Sequence, residues 1–276
     1  MLKDVIDFEA EYNNRVRVPD HEQVIAGWMN DAASYREAAA CDLDIAYGDH
    51  ERQKFDFFPA NGRDDAPVLV FIHGGYWQAL DRAAFSHMAS GVAAHGLDMA
   101  IPSYRLAPDV SVQDIIDDMR SLCLAMWNIH GRKLVVTGHS AGGHLAAAMF
   151  ATDWAAHGGP DGLVSAGLGI SGLYDLRPLM PTGINQRIGI DRKISLQCSP
   201  LLWPSPQHGR FEAWVGGAES REYHRQSETL AACWGGAGIT CSWQAVDDDN
   251  HFTVVRHLAD GATDMTRALV AMCDLA

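Results

Sequence analysis

Short apolar runs alternate with helical patterns along most of the chain, and this alternation limits the available folds more than any other feature. Strand-like segments such as PVLVFIHG (67–74), KLVVTG (133–138) and RFEAWVG (210–216) are each followed by a helical pattern. Strands that alternate with helices pair in parallel, because each helix returns the chain to the same edge of the sheet. We therefore predict an α/β protein with a mostly parallel central sheet and helices on both faces.

Two regions depart from this alternation and predict a small cap in a single domain of residues 1–276. Residues 1–40 precede the first strand and contain a helical pattern over 21–39. Residues 173–208 have a mixed pattern rich in proline. CDLDIAYG and KFDFFPA predict two antiparallel edge strands, and DRAAFSHMASGVAAHG (81–96) predicts a helix ended by Gly96. Ligands of such sheets bind beyond the carboxyl ends of the strands, so candidate sites belong in strand-to-helix loops.

The charge balance excludes one class of partner. The 276 residues include 35 acidic and 21 basic side chains, which gives a net charge of −14. A field of this sign repels phosphate backbones, so we expect no nucleic-acid partner.

No apolar run approaches the length of a membrane span, so no membrane partner is expected. The expected partner is a small-molecule substrate, and assembly into a homodimer is left open.

The cysteines indicate a reducing compartment. The six cysteines are scattered, with no C-x-x-C pair, so neither a disulfide framework nor a zinc site is predicted. The N-terminal sequence MLKDVIDFEAEYNN lacks the apolar core of a signal peptide. We therefore expect free thiols and a cytoplasmic location, with no metal or other cofactor.

One strand-to-helix transition carries VVTGHSAGGHLA, which contains the pattern G-x-S-x-G at Gly138, Ser140 and Gly142. The pattern alone is weak evidence, but here it follows an apolar strand directly and opens an Ala-rich helix. This context is typical of a nucleophile elbow, a sharp turn whose small flanking residues let the serine point into a cleft. Unpaired N–H groups at the helix start would face a developing anion. We predict that Ser140 is a nucleophile.

A serine nucleophile needs a histidine that accepts its proton, and the partners follow an elbow in the order serine, acid, histidine. His251, in AVDDDNHFTVV just after the last strand, is the predicted base. Glu219, in AWVGGAES after the preceding strand, is the predicted acid. The competing carboxylates lie too close to His251 in sequence to come from a separate loop; they are Asp247, Asp248 and Asp249. Structural roles are expected for His139, His144 and His257.

The segment FIHGGYW leaves a core strand through two glycines and then places two aromatic residues in a loop. In this arrangement an earlier strand-to-helix loop supplies backbone N–H groups to an oxyanion hole, together with the residue after the nucleophile. We predict that Gly74, Gly75 and Ala141 are these donors. Glycine permits the close approach of the backbone that a Cβ would prevent.

With these residues the chain resembles the kynurenine formamidase (arylformamidase) family of α/β-hydrolases, which is related to hormone-sensitive-lipase-like esterases. The resemblance runs from LDIAYG to NHFTVV and is most specific at HGGYW, where esterase relatives usually carry HGGG or HGGA. GHSAGGHLA is similar to the elbow of the family, VGGAESREYHRQS to its acid loop and NHFTVV to its histidine segment. Glu219 stands where the family usually has Asp. The N-terminal EYNNRVRVPDH resembles bacterial members of unassigned substrate.

The resemblance implies an α/β-hydrolase fold and a serine hydrolase that removes the formyl group from N-formyl-L-kynurenine. Two alternatives stay open: a carboxylesterase of small acyl esters, and a hydrolase-fold protein that binds without turnover. The complete serine, acid and histidine set argues against the second. An aromatic leaving group requires a wide, partly apolar pocket, and we expect Tyr76 and Trp77 to line it. The alternative for Trp77 is that its ring packs the loop onto the core.

Overall fold

The protein is described by a computed structural model that covers residues 6–60, 62–63 and 65–274. Within these residues eight strands form one sheet in the order β1-β2-β4-β3-β5-β6-β7-β8. The strands are β1 (Asp42–Ala46), β2 (Lys54–Phe58), β3 (Val68–Ile72), β4 (Met99–Pro102), β5 (Leu134–His139), β6 (Val164–Ile170), β7 (Arg210–Gly216) and β8 (Thr240–Val246). The pairs β1/β2 and β2/β4 are antiparallel and the other pairs are parallel, which confirms the predicted mostly parallel sheet.

The α-helices range from four to nineteen residues in length. They are α1 (Phe8–Tyr12), α2 (Asn14–Arg17), α3 (His21–Ala38), α4 (Ala89–Ala93), α5 (Val112–His130), α6 (Ala141–Phe150), α7 (Asn185–Ile188), α8 (Arg192–Gln197), α9 (Arg221–Gly236) and α10 (Asp264–Asp274). A capping box opens α5: Asp114 N donates to Ser111 Oγ, and Ser111 N donates to the Asp114 carboxylate. The helix ends at Gly131, whose φ of 65° is left-handed.

Helices cover both faces of the sheet because the central strands are apolar on both faces. In β3 the side chains of Val68, Val70 and Ile72 join the core beneath α5, α6 and α9. Leu69 and Phe71 point the opposite way and join the core beneath α3, α4 and α10. All five side chains are fully buried, and their alternation follows from the two-residue period of a strand. The sequence of β3 is therefore uniformly apolar, because neither face of the sheet is exposed to solvent at this strand.

The segment 81–96 is not the single helix that its pattern predicts. It forms two 3₁₀ turns, Arg82–Ala84 and Ser86–Met88, before α4 begins. Phe85 between the turns takes a φ of −128°, and its ring lies 5.3 Å from that of Trp28, between centroids. The carbonyl oxygen of Ala83 accepts from the guanidinium of Arg36. The interruption therefore coincides with contacts to α3, which the local pattern does not contain.

Of the two predicted edge strands, only β1 lies at the edge. β2 pairs with β1 on one side and with β4 on the other. Its burial agrees with this position, since Phe55, Phe57 and Phe58 are buried.

The cysteines are free thiols, as expected: Cys123, Cys198 and Cys273 are buried, and Cys233 is exposed. In the part of the chain that the structure covers, no helix has the length and apolar character needed to cross a bilayer. Within the same residues, no three His, Cys, Asp or Glu side chains are grouped so that they could hold a metal ion.

Candidate active site

Ser140 lies in the turn between β5 and α6 with φ 59° and ψ −119°, a strained backbone conformation for a residue with a Cβ. Two glycines make the turn sterically feasible. A Cβ on Gly142 would lie 1.9 Å from the carbonyl oxygen of Ile72, and a Cβ on Gly138 would lie 2.3 Å from that of Gly142. Such strain costs about 1–3 kcal/mol and is held in place by surrounding contacts. The Ser140 N–H, for example, donates to the Ile170 carbonyl on β6 at 2.8 Å.

His251 lies in the loop after β8, and its neighbour Asn250 shapes that loop. The Asn250 side-chain oxygen accepts from the backbone N–H of Phe252 at 2.9 Å and of Thr253 at 3.1 Å. The Asn250 N–H in turn donates to Thr253 Oγ1 at 3.0 Å. These local bonds fix the NHFT segment, and the imidazole of His251 is consequently presented towards Ser140.

Glu219 lies in the loop between β7 and α9, which is joined to the histidine loop by backbone bonds. Gly217 N donates to Val246 O at 2.7 Å, and Ala218 N donates to Asp249 O at 2.9 Å. Parallel neighbours such as β7 and β8 end at the same edge of the sheet, so the two loops leave side by side. The side chain of Glu219 is fully buried between them.

The three predicted residues form one hydrogen-bonded chain. His251 Nε2 lies 3.1 Å from Ser140 Oγ, and His251 Nδ1 lies 2.7 Å from Glu219 Oε2. The carboxylate accepts a hydrogen bond from Nδ1–H, so Nε2 is the free acceptor for the serine hydroxyl. This arrangement can remove a proton from Ser140 and hold the resulting imidazolium next to a carboxylate.

Asp247, Asp248 and Asp249 do not occupy the position of the acid. Asp249 is buried and instead pairs with His257 Nε2 at 2.6 Å, while Asp247 and Asp248 are exposed. His257 therefore has the structural contact that was expected for it.

Two further residues hold the site, and sequence reasoning missed the first of them. Ser171, just after β6, has a φ of 51° and donates to Glu219 Oε1 at 2.5 Å. His139, expected to have a structural role, packs under His251 and donates from Nε2 to its carbonyl oxygen at 2.7 Å. Burial and the neighbouring His251 lower the pKa of His139 well below its ordinary value, so it stays neutral. The only sequence signal for Ser171 is its position at the end of a strand.

The predicted oxyanion donors meet at the same place. A Cβ on Gly74 would lie 3.0 Å from Ser140 Cβ, so this backbone passes directly beside the serine. Gly75 has a φ of 102°, and a Cβ there would lie 2.2 Å from Ala79 O. Among the described residues no acceptor engages the N–H groups of Gly74, Gly75 or Ala141. Ala141 is the first residue of α6, where the helix presents unpaired N–H groups.

A buried aromatic pair supports the HGG loop from behind. Tyr104 Oη donates to His73 O at 2.9 Å, and its ring stacks on the His73 imidazole at 4.3 Å between centroids. His73 Nδ1 donates to the Gly74 carbonyl at 2.7 Å. Burial lowers the pKa of His73 to about 4, so this imidazole is neutral at pH 7.

The two aromatic residues of the loop have different positions, and this corrects the expectation that both rings line the cleft. Trp77 is fully buried; its Nε1–H donates to His144 Nδ1 at 3.2 Å, and the two rings meet edge to face. Tyr76 lines the cavity at Ser140 and is only half-buried. Both residues have a positive φ, 49° for Tyr76 and 57° for Trp77.

A cavity of about 490 Å³ opens over Ser140 and His251. Its size lies within the usual range for small-molecule sites. The wall is partly aromatic and apolar, with Tyr12, Ile25, Trp28, Tyr76, Leu80, Ile184 and Phe252. Charged groups from the N-terminal helices and from the segment after β6 complete it, with Glu9, Arg15 and Arg187.

No sequence pattern indicates the contacts that the N-terminal residues make to the site. Tyr76 Oη donates to the Tyr12 carbonyl at 2.6 Å and shares a hydrogen bond of 2.8 Å with Tyr223 Oη. Asn14 Nδ2 also donates to Tyr223 Oη at 2.8 Å, and the Tyr223 ring lies 4.7 Å from that of His251. More than two hundred residues separate Tyr12 from Tyr223, so no local pattern could indicate this contact.

The chain is similar to several known proteins. A family model described as BD-FAE matches residues 56–157. A candidate thioesterase from a Silicibacter species has a solved structure with a TM-score of 0.87 and 29% identity, covering 96% of this chain and all of that one. An esterase of Pyrobaculum calidifontis shares the fold, with a TM-score of 0.73 at 14% identity over 94% of this chain and 95% of its own.

One relative is similar over most of its length. The kynurenine formamidase of Danio rerio is 30% identical over 240 residues, which cover 83% of this chain and 81% of that protein. The predicted resemblance is thereby confirmed, and the sheet order and the esterase structures agree with the predicted hydrolase fold. The chain is an α/β-hydrolase-fold enzyme and belongs to the kynurenine formamidase family.

Proposed function

We propose that this enzyme removes the formyl group from N-formyl-L-kynurenine. The observation that carries the proposal is the hydrogen-bonded chain of Ser140, His251 and Glu219 in a chain 30% identical to a kynurenine formamidase. The cavity above the serine is large enough for an aromatic amine and has apolar walls. A formyl group needs little room on the acyl side.

In the proposed reaction Ser140 Oγ attacks the formyl carbon while His251 Nε2 takes the hydroxyl proton. The N–H groups of Gly74, Gly75 and Ala141 stabilise the oxyanion, and such donors typically contribute about 3–4 kcal/mol each to the transition state. His251 then gives its proton to the aryl amine as the C–N bond breaks. Water, deprotonated by His251, then attacks the carbonyl carbon of the formyl ester. The bond to Ser140 Oγ breaks, His251 returns its proton to Oγ, and formic acid leaves and loses its proton to solvent as formate.

Glu219 is proposed as the acid that orients the imidazole. Its extra methylene, compared with the usual Asp of the family, is accommodated because the carboxylate is held by other donors. Gly216 N donates to Oε1 at 2.7 Å, as does Ser171 Oγ at 2.5 Å. The second oxygen remains for His251, which is the role that the reaction requires.

A carboxylesterase acting on small acyl esters is the second candidate. The candidate thioesterase, which is 29% identical over 96% of this chain, favours it. The same nucleophile and oxyanion donors would serve, since an ester carbonyl develops the same charge. Binding without turnover is disfavoured by the strained backbone of Ser140, which a pure binding protein does not need.

The test compares turnover of N-formyl-L-kynurenine with that of p-nitrophenyl acetate on one enzyme preparation. We expect a higher kcat/KM for the formamide, and Ser140→Ala should lower kcat for both substrates by about a million-fold while the protein stays folded. Turnover of the ester alone would favour the carboxylesterase. A Ser140→Ala enzyme that keeps a tenth of wild-type activity would show that another group is the nucleophile.

The organisation and location of the chain are also proposed. We propose one α/β-hydrolase domain in which residues 6–40 and 173–208 form the cap; residues 1–5, included in the predicted cap, lie outside the described residues. The support is that both regions contribute walls of the cavity, through Tyr12 and Ile184 among others. Free thiols support a cytoplasmic location. A homodimer stays a prediction, which light scattering on the purified protein would test.

A further inference from the structure

Three charged side chains surround the cavity away from the triad, and we call Glu9, Arg15 and Arg187 the charged rim. They lie on three short helices, α1, α2 and α7, which approach the site from different parts of the chain. All three are exposed, so they lie where the cavity meets solvent. Ser140 and His251 lie in the wall of the same cavity.

The glutamate of the rim is held in place. Glu9 Oε2 accepts from the Gly183 N–H at 2.7 Å, and Oε1 accepts from Asn13 Nδ2 at 3.0 Å. The first bond joins α1 to the residues just before α7, and so it keeps Glu9 beside the helix that carries Arg187. A carboxylate offers about four acceptor positions, so capacity for a further donor remains after these two bonds.

The two arginines of the charged rim differ from most other arginines of this acidic chain in that they form no ion pair among the described residues. Among the described residues neither Arg15 nor Arg187 forms an ion pair, although eleven other arginines lie within 4.0 Å of a carboxylate. The net charge of −14 supplies many acidic side chains that could have paired with them. A guanidinium that is not neutralised by its own protein is well suited to a ligand carboxylate, which it can bind in a bidentate manner.

We propose that the charged rim binds the zwitterionic α-amino-acid head of the substrate, with Arg15 and Arg187 at the carboxylate and Glu9 at the ammonium group. This inference rests on the proposed function, because it assumes that the leaving amine carries such a head. Ser140, His251 and Glu219 would then act at one end of the cavity, while the charged rim selects the substrate at the other end. An acyl ester without charge gains nothing from the rim, so the rim favours the formamide over small esters.

The experiment separates binding from chemistry by using Ser140→Ala. Its affinity is measured by calorimetry for N-formyl-L-kynurenine and for N-(2-acetylphenyl)formamide, which keeps the ring, the ketone and the formamide but lacks the amino-acid head. We expect the first ligand to bind at least about tenfold more tightly, since hydrogen bonds to charged groups are commonly worth that factor. Adding R15Q or R187Q should reduce this preference, adding both should remove most of it, and E9Q should also lower it.

Arg192→Gln is the matched control. It makes the same change of charge at an exposed position on α8, outside the cavity lining, and should leave the preference unchanged. Equal affinity of Ser140→Ala for the two ligands would overturn the proposal, as would a preference that survives in the double arginine variant. A thermal melt of each variant shows that the fold is retained.

Failure of the rim and failure of the proposed function give different results. If the active enzyme hydrolyses both formamides with equal kcat/KM, the function stands and the rim proposal is wrong. If it hydrolyses neither, while Ser140→Ala still prefers the ligand with the amino-acid head, the rim stands and the proposed reaction is wrong.

Discussion

At the scale of single residues, Glu219 is held by three hydrogen-bond donors. Its carboxylate accepts from Gly216 N, Ser171 Oγ and His251 Nδ1, and its side chain is fully buried. A buried carboxylate is tolerated only when such donors replace water. These three donors hold both carboxylate oxygens of Glu219. They thereby accommodate a glutamate where the family usually has an aspartate.

Glu219→Gln should lower kcat strongly, but less than His251→Ala does. The amide would present an N–H group to His251 Nδ1 and favour the wrong tautomer, and the comparable change in a serine protease costs about ten-thousand-fold. Loss of the base removes the proton acceptor itself. Steady-state kinetics on both variants measures the difference. Asp248→Asn, an exposed carboxylate in the same loop as His251, is the control and should retain wild-type turnover.

Trp77→Leu should destabilise the protein without changing its choice of substrate. The indole is fully buried and donates to His144, so its loss leaves a cavity and an unpaired acceptor, at a cost of about 2–4 kcal/mol of unfolding free energy. Urea denaturation measures the free energy, and kcat/KM should fall by the same factor for N-formyl-L-kynurenine and p-nitrophenyl acetate.

Tyr76→Leu is the contrasting variant, because Tyr76 lines the cavity. It should lower kcat/KM more for the aromatic formamide than for the small ester. If Trp77→Leu is instead the variant that discriminates between the two substrates, the buried tryptophan contributes to substrate binding and our interpretation of the loop is wrong.

At the scale of secondary-structure elements, the turn from β5 to α6 depends on glycines that contact the neighbouring strand. Gly142 lies in the first turn of α6 and packs directly against β3. A Cβ on this residue would lie 1.9 Å from the carbonyl oxygen of Ile72. Backbone atoms on a central strand cannot move away cheaply. The elbow is therefore fixed by the packing of α6 against β3 as much as by its own sequence.

Gly142→Ala should lower the unfolding free energy by about 3 kcal/mol or more, through overpacking against the strand, and should displace Ser140. Gly27→Ala makes the same chemical change inside α3, where a Cβ would meet nothing within 4 Å. That variant should be unchanged or stabilised by about 0.4–1 kcal/mol, because alanine is favoured over glycine in a helix. Equal stability of the two variants, measured by urea denaturation, would contradict this account of the elbow.

At the scale of the whole molecule, buried neutral histidines make stability depend on pH. Burial lowers the pKa of His73 and of His144 to about 4, from an ordinary value of 6.5. The contacts of His144 also oppose its protonation. Its Nε2 already donates to Cys198 O at 2.6 Å, and a proton on Nδ1 would break the hydrogen bond that this nitrogen accepts from Trp77. Between pH 6.5 and 4 the unfolded chain therefore binds protons that the folded chain excludes.

The unfolding free energy should accordingly fall as the pH is lowered from 6.5 towards 4, by about 1.4 kcal/mol per pH unit for each such histidine. Urea denaturation at pH 7, 6 and 5 measures the slope. His144→Gln keeps a donor and an acceptor but cannot titrate, so its slope should be smaller by about that amount. A slope identical to that of the wild type would mean that His144 is not protonated differently in the two states.

The sequence by itself determined what depends on short stretches of chain. The alternation of strands and helices predicted the sheet, and the glycines around Ser140 predicted the elbow, because both follow from local backbone geometry. Chain order then singled out Glu219 and His251, since parallel strands bring successive loops to one edge. In the structure His251 lies within hydrogen-bonding distance of both Ser140 and Glu219.

Only the tertiary structure decided which side chains surround the hydrogen-bonded chain of Ser140, His251 and Glu219. Trp77 turns into the core and Tyr76 into the cavity, Ser171 donates to Glu219, and the N-terminal Tyr12 approaches Tyr223. The predicted helix over 81–96 is interrupted where Phe85 and Ala83 contact α3. In most of these cases the deciding contact joins residues far apart in the chain, and the energy of such contacts outweighs the weak preferences that a local pattern records.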